Sequence, residues 1–491
     1  MVTTSRLNRE PSPGPGPGHR GRKHRGPGWA LGLASVASFM VVLDMLVVAT
    51  ALNTIRRDLG ASTAQLEWTV NAYTLTFAVL LMTGSAIGDR YGRRRVFAIG
   101  LAVFVLASAG CALAPGVGWL IAARAVQGAG AALIMPLALA VLNAAVPPER
   151  RGWAMGIFGG VTALAVVVGP VLGGAITQGI AWQWIFWLNV PLGLIVIALV
   201  LRRLDESYGP RADLDFPGLA LATGAAIGLV WGLVRGSSAG WGSPEVVGAL
   251  AGGGLLVVAF ARWELRARAP MLPMRLFAAR GFSAGNVVIF FLNASVTGSV
   301  FFLAQFLQIS LGEDPLGSGL RLLPWGVAPF LIAPRAGRLA DRIGERPLIV
   351  SGLLLQIGAL AGIATVAGLH LGYAELLAPM IVSGAGIGLA LPAVTKAVVG
   401  PVPPGDIGKA SGVFSTMRQL GAAFGVAILA AVFTAAGSYA SAGEFSDGFA
   451  PAMGAAAGLA LAGGLAALAL PGRRRQVDSA PADDAIDVAA A

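Results

Sequence analysis

Asp44 and Arg124 carry charge where charge is costly. Asp44 lies inside one apolar run, in Leu43-Asp44-Met45-Leu46, and Arg124 inside another, in Arg124-Ala-Val-Gln-Gly-Ala-Gly130. A charged side chain at the centre of a membrane helix costs about 2.5–3.5 kcal/mol on insertion scales, so its retention points to function. Asp44 reads as the single carboxylate deep in any apolar run. An aspartate can take and release a proton, whereas an arginine stays charged and serves as a fixed counter-ion. A proton cycle near neutral pH would require the Asp44–Arg124 distance, or the hydration of Asp44, to alternate between two states. A static ion pair is the plainer reading of the same two residues.

Three other groups of residues have the right types and spacing for a role. Gly84–Arg95 packs Gly84, Gly88, Asp89, Arg90, Gly92, Arg93 and Arg94 between two apolar runs, and a related stretch at Gly337–Arg346 contains Asp341 and Arg342. Such basic clusters do not cross a membrane readily and mark cytoplasmic turns. The repeated cluster reads as a cytoplasmic gate, with Asp89 bridging helices when that side is closed. Gly169, Pro170, Gly173 and Gly174 end another run, where proline removes a backbone bond and glycine permits close packing. Gln127, Trp325, Arg418 and Gln419 are candidates for contact with a substrate in a cavity, or, for Arg418, with lipid headgroups. Pro324, Pro329 and Pro334 around Trp325 suggest a broken helix. The single cysteine excludes an internal disulfide, the three histidines have no metal-site spacing, and no GxxxxGK[ST] run is present. No cofactor is expected, and uphill work would have to draw on an ion gradient.

The elements that must position these residues are long apolar helices. Of the 491 residues, 56% are hydrophobic and 12% charged, with mean hydropathy +0.75. Runs near 20 residues suffice to cross about 30 Å of hydrocarbon. The reading is an all-α integral membrane protein with fourteen spans, near 29–52, 68–88, 96–114, 119–142, 153–176, 184–201, 216–234, 246–261, 282–307, 318–336, 348–368, 374–395, 410–435 and 449–470. With both termini cytoplasmic, 29 of the 35 Lys and Arg fall on the cytoplasmic side and four outside. The net charge of +11 is therefore a topology signal rather than a sign of nucleic acid binding. Residues 1–28 and 471–491 read as disordered tails, with no cleavable signal.

The chain also repeats itself. Val146–Phe158 aligns on Val402–Phe414 at an offset of 256, which also sets Gly128 and Gly130 on Gly384 and Gly386. Gly84–Arg95 aligns on 336–347 at an offset of 252. Two six-helix units, 29–203 and 269–470, are expected, with linker and two inserted helices in 204–268. The repeat partner of Arg124 is Met380, so the charge chemistry belongs to the first unit alone.

These motifs resemble those of the fourteen-spanner drug:proton antiporters of the major facilitator superfamily. Gly84–Arg95 resembles the superfamily's loop signature, Arg124–Gly130 its proton-linked fourth-span motif, Gly169–Gly174 the antiporter motif, and Leu43-Asp44 the first-span motif. Trp182–Phe186 with Asn189-Val-Pro191 resembles a sixth-span signature. Ala49, Asn53, Ala165 and Gln183 depart from the family pattern. The resemblance implies proton-coupled export of a hydrophobic drug or antibiotic across a bacterial cell membrane, by a monomer surrounded by lipid. A neutral, zwitterionic or monocationic compound would suit a cavity with one deep carboxylate. A proton-coupled importer, or a membrane sensor or lipid-handling protein, are the alternative readings.

Overall fold

The computed structural model describes residues 27–147, 150–209, 215–267, 270, 272, 274–402 and 407–472. Of the expected terminal tails, residues 1–26 and 473–491 lie outside the described residues, as do the side chains of Arg338 and Asp341, whereas Pro27 and Gly28 already belong to the first helix. The helices in chain order are α1 (Pro27–Leu59), α2 (Thr63–Tyr91), α3 (Arg93–Ala112), α4 (Val117–Ala145), α5 (Arg151–Gly179), α6 (Trp184–Trp187), α7 (Asn189–Arg203) and α8 (Phe216–Ala239). Then follow α9 (Pro244–Glu264), α10 (Arg280–Ile309), α11 (Pro315–Arg321), α12 (Leu323–Ile343), α13 (Glu345–Gly368), α14 (Tyr373–Val399), α15 (Ile407–Ala436) and α16 (Ala442–Ala467). No strand occurs among the described residues.

A helix covers each apolar run, and the described residues by themselves do not give the full count of fourteen spans expected. Among the described residues twelve segments are long and apolar enough to cross a membrane, and α2, bent by 51° between Leu81 and Thr83, makes a thirteenth. At the fifth expected span the structure has α5, several of whose side chains lie outside the described set. The expected break in the tenth span occurs at Leu322, between α11 and α12. A similar break at Leu188 separates α6 from α7.

Local chemistry fixes the boundaries. Ser62 and Gln65 form a reciprocal capping box at the start of α2. Asp314 caps α11 through Gly317 N, with Pro315 in its first turn. Gly92 ends α2 with φ 108° and Gly344 ends α12 with φ 88°. These positions are 252 residues apart, so the two copies of the basic cluster share a turn that side chains with a Cβ rarely adopt.

The helices pack by the same contacts twice. A Cβ on Gly128 of α4 would strike the Tyr73 carbonyl of α2, and one on Gly384 of α14 would strike the Trp325 carbonyl of α12. Small residues at these crossings let backbones touch. Along the chain, α1 packs on α5, α2 on α4 and α3 on α4; later α10 packs on α15, α12 on α14 and α13 on α14. Helices α8 and α9 pair with each other, and α8 lies against α2 and α15 through Leu75, Val79, Val230 and Ala427.

Candidate functional site

Asp44 and Arg124 meet. One Arg124 guanidinium nitrogen donates to Asp44 Oδ2 at 2.5 Å and to Gln127 Oε1 at 2.8 Å. Gln127 Nε2 and Asn189 Nδ2 donate to Asp44 Oδ1 at 2.8 and 2.9 Å. Ser108 Oγ accepts from both of those amides, at 3.2 and 3.0 Å, and donates to the Phe186 carbonyl. Arg124 Nε donates to the Thr69 carbonyl, and its guanidinium lies 4.2 Å from the centre of the Tyr73 ring. All of these side chains are buried, Asp44 to 2% exposure and Arg124 to 1%. The carboxylate receives three donors and faces no acceptor, an arrangement made for its ionised form. Oδ1 takes two donors and Oδ2 one, so a proton would enter at Oδ2, beside Arg124, and weaken the charge-assisted bond between them.

Five elements supply the cluster: α1 (Asp44), α2 (Tyr73 and the Thr69 carbonyl), α3 (Ser108), α4 (Arg124, Gln127) and the α6–α7 break (Phe186, Asn189). Arg124 and Gln127 share a face of α4 by their spacing of three. The break at Leu188 brings a carbonyl and an amide from consecutive turns to Ser108. Gln127, expected in a cavity, is sealed in this cluster instead.

Gly169–Gly174 sits between two helix surfaces. Gly169 and Gly173 press on α1, where a Cβ would lie 2.9 Å from Leu46 Cβ and 2.7 Å from the Val47 carbonyl. On the other face, Gly174 abuts the Pro315 carbonyl and Gly319 of α11 abuts that of Pro170. Polar bonds reinforce this end: Asn53 Nδ2 donates to Gln308 Oε1, Gln308 Nε2 to the Thr50 carbonyl, and Gln178 Nε2 to Asp314 Oδ2, each at 3.0 Å. The early and late helices are thus clasped at the end opposite the basic cluster, the Arg-poor end.

At the Arg-rich end the basic cluster is tied to its own half. Asp89 Oδ1 accepts from Arg93 Nε at 2.8 Å, and the Asp89 carbonyl accepts from Gly209 N. Arg94 N donates to Glu206 Oε1, its guanidinium reaches the Leu204 carbonyl, and Arg95 pairs with Glu206 at 3.6 Å. Gly92 leaves room for the Glu206 carboxylate, 2.8 Å from where a Cβ would stand. Gly84 and Gly88 fit under Ala132 and Leu137 of α4, and Arg90 lies over Tyr91. Asp89, expected to bridge helices in a closed state, bonds within its own loop and linker here. Arg342 is exposed; Asp341, with its side chain outside the described residues, has no account. In the later helices, Trp325 and Gln419 are buried at 4% and 3% exposure, whereas Arg418 is partly exposed.

The description Major Facilitator Superfamily belongs to the family model that matches residues 34–426. The chain belongs to the major facilitator superfamily. It is 34% identical to the tetracenomycin C resistance and export protein of Streptomyces glaucescens, over 82% of this chain and 76% of that protein. It is 38% identical to a cephamycin export protein of Amycolatopsis lactamdurans, over 85% and 87% of the two chains. It is 33% identical to the methylenomycin A resistance protein of Streptomyces coelicolor, over 94% and 96%. Among solved structures, a POT family transporter superposes with TM-score 0.67 at 16% identity, over 88% of this chain and 94% of that one. A bacterial homologue of the lysosomal transporter Spinster, solved inward-facing and unoccupied, superposes with TM-score 0.64 at 16% identity, over 91% and 98%.

For this major facilitator protein, sequence reasoning left several site residues unassigned. Asn189 stood in a quoted motif without a role, and Ser108 and Tyr73 were not singled out. Glu206 belongs to the linker that anchors the basic cluster. Glu67 corrects the expectation of one deep carboxylate: α2 begins at Thr63, before the apolar run, so Glu67 lies within the helix at 3% exposure. Among the described residues no hydrogen bond or ion pair reaches it.

Proposed function

We propose that this chain exports a small antibiotic-like organic compound from the bacterial cytoplasm, with protons moving the opposite way through Asp44. The carrying observation is the buried Asp44–Arg124–Gln127–Asn189 cluster, a proton-accepting group whose bond to Arg124 weakens when it is protonated. Relatives named for export of or resistance to tetracenomycin C, cephamycin and methylenomycin A support the direction and the class of cargo. The imbalance of Lys and Arg between loops supports cytoplasmic termini and an Arg-rich end facing the cytoplasm.

In this reading the clasped Arg-poor end is the outer side, and the Arg-rich end receives cargo. Residues 29–203 and 269–470 form two units that rock about the bound compound, and residues 204–268 form an insert. Opening of the outer side breaks the Asn53–Gln308 bond and parts Gly174 from Pro315. Protonation of Asp44 loosens Arg124, and cargo binding and proton binding thereby exclude one another. The basic cluster with Asp89 closes the inner side in the other half of the cycle. No bound cofactor takes part.

The test uses everted membrane vesicles of an efflux-deficient host, with a compound chosen by a susceptibility panel. Uptake driven by an imposed pH gradient is expected for the parent chain. Uptake that proceeds equally in Asp44→Asn under the same gradient would refute proton coupling at this site.

A further inference from the structure

Arg418 is a fixed cation within α15. It stands eleven residues into α15, roughly 16 Å from the start of that helix. Its carbonyl accepts from Asn293 Nδ2 of α10 at 2.7 Å, which fixes the backbone at this point. Among the described residues its guanidinium makes no hydrogen bond or ion pair, and no carboxylate neighbours it. Part of its surface stays accessible although eleven residues of helix separate it from the start of α15. Ser411, Ser415 and Arg418 follow helical spacing along one stripe, and all three are partly exposed. Another face, Leu420, Phe424 and Ala427, packs with α2 and α8. Beyond the stripe α15 closes on α10, with Gly421 against the Phe290 carbonyl and Gly425 against that of Ala294. The other deep arginine, Arg124, is fully engaged by Asp44, Gln127, Thr69 and Tyr73.

We infer that Arg418 receives an organic oxyanion, the carboxylate of the exported compound. This rests on the export reading and names its substrate class. A guanidinium stays charged, offers a planar fork of donors, and prefers a carboxylate to any neutral group. Ser411 and Ser415 add hydroxyls on the approach from the Arg-rich end. The neutral, zwitterionic or monocationic cargo expected from the sequence narrows to one that carries a carboxylate, because Asp44 already satisfies Arg124 and no group satisfies Arg418 among the described residues. A phosphate of an anionic lipid headgroup offers the same chemistry, and the experiment separates the two.

Purified full-length protein in nanodiscs of phosphatidylcholine alone is titrated with fluorescent aromatic carboxylates, such as dansylglycine, each paired with its neutral amide. Carboxylates should bind more tightly than their amides, with Arg418→Gln weakening the carboxylates about tenfold or more and leaving the amides unchanged. Arg418→Lys should recover part of the preference, and a thermal melt of each variant verifies folding. Equal affinity for acid and amide in the parent, failure of the whole carboxylate panel to bind, or an unchanged preference in Arg418→Gln would overturn the inference. Repeating the titration with phosphatidylglycerol supplies the second arm. If Arg418→Gln alters only the retention of phosphatidylglycerol, the site holds a headgroup and the cargo assignment is wrong. The readout is at equilibrium with no gradient, so it can fail or succeed apart from proton coupling.

Discussion

Asp44 is held by one cation and two amides, and each donor has a separable consequence. Asp44→Asn should lower gradient-driven export at least about tenfold, because an amide takes no proton at working pH, while the protein remains folded. Asn189→Ala removes one hydrogen bond to a charged group, a loss of about 1.5–3 kcal/mol in stability that a thermal melt in detergent would register. Asp44 and Arg124 were legible in the sequence because a charge inside an apolar run is an anomaly of one letter. Ser108, Asn189 and Tyr73 were not, because such residues are common in membrane helices. A helix that is apolar around most of its surface gives no phase from which to tell which way they point.

Among the elements, α2 has the most telling division of surface. Trp68, Leu75 and Val79 face α8 and α15, Tyr73 faces the arginine, and Glu67 is sealed near the Arg-poor end. Tyr439 lies close to Glu67, donates to Gln305 Oε1 at 2.7 Å, and carries Arg56 over its ring. Burial holds the Tyr439 phenol well above its ordinary range; the Glu67 carboxylate adds to this and Arg56 opposes it. A buried carboxyl without a donor is destabilising, so Glu67→Gln should be tolerated and should raise the melting temperature. A lowered melting temperature would mean that Glu67 has a partner it needs. On α5, Gly174→Leu forces a side chain into the Pro315 carbonyl and should pry α5 from α11. A cysteine placed in α11, Ser318→Cys in a Cys111→Ala background, should then react faster with thiol reagents added from the Arg-poor side than the same cysteine does with Gly174 intact. The glycines were visible in the sequence, but the surface each one faces was not, since a GxxxG-like spacing names no partner.

At the scale of the whole molecule, the clasp between Asn53 and Gln308 joins segments 255 residues apart. A cysteine pair at these two positions, bridged by a short thiol cross-linker, should stop transport and release it on reduction; transport that continues with the bridge intact would show that this end does not open. The twofold plan was legible because whole blocks recur at nearly constant offset, and the recurring turn at Gly92 and Gly344 gives that offset a backbone form. The break at Leu188 and the bend in α2 were less legible, since hydropathy alone does not mark an interruption within an apolar run.

The Asp44–Arg124 bond also sets a timetable for biogenesis. The aspartate leaves the ribosome 80 residues before its counter-ion, and during that interval α1 must sit in or beside the translocon with its carboxylate unmatched. Nascent chains arrested before residue 124 should therefore keep α1 extractable by alkaline carbonate, and chains arrested beyond α4 should lock it into the bilayer. In Asp44→Leu this difference between arrest points should vanish.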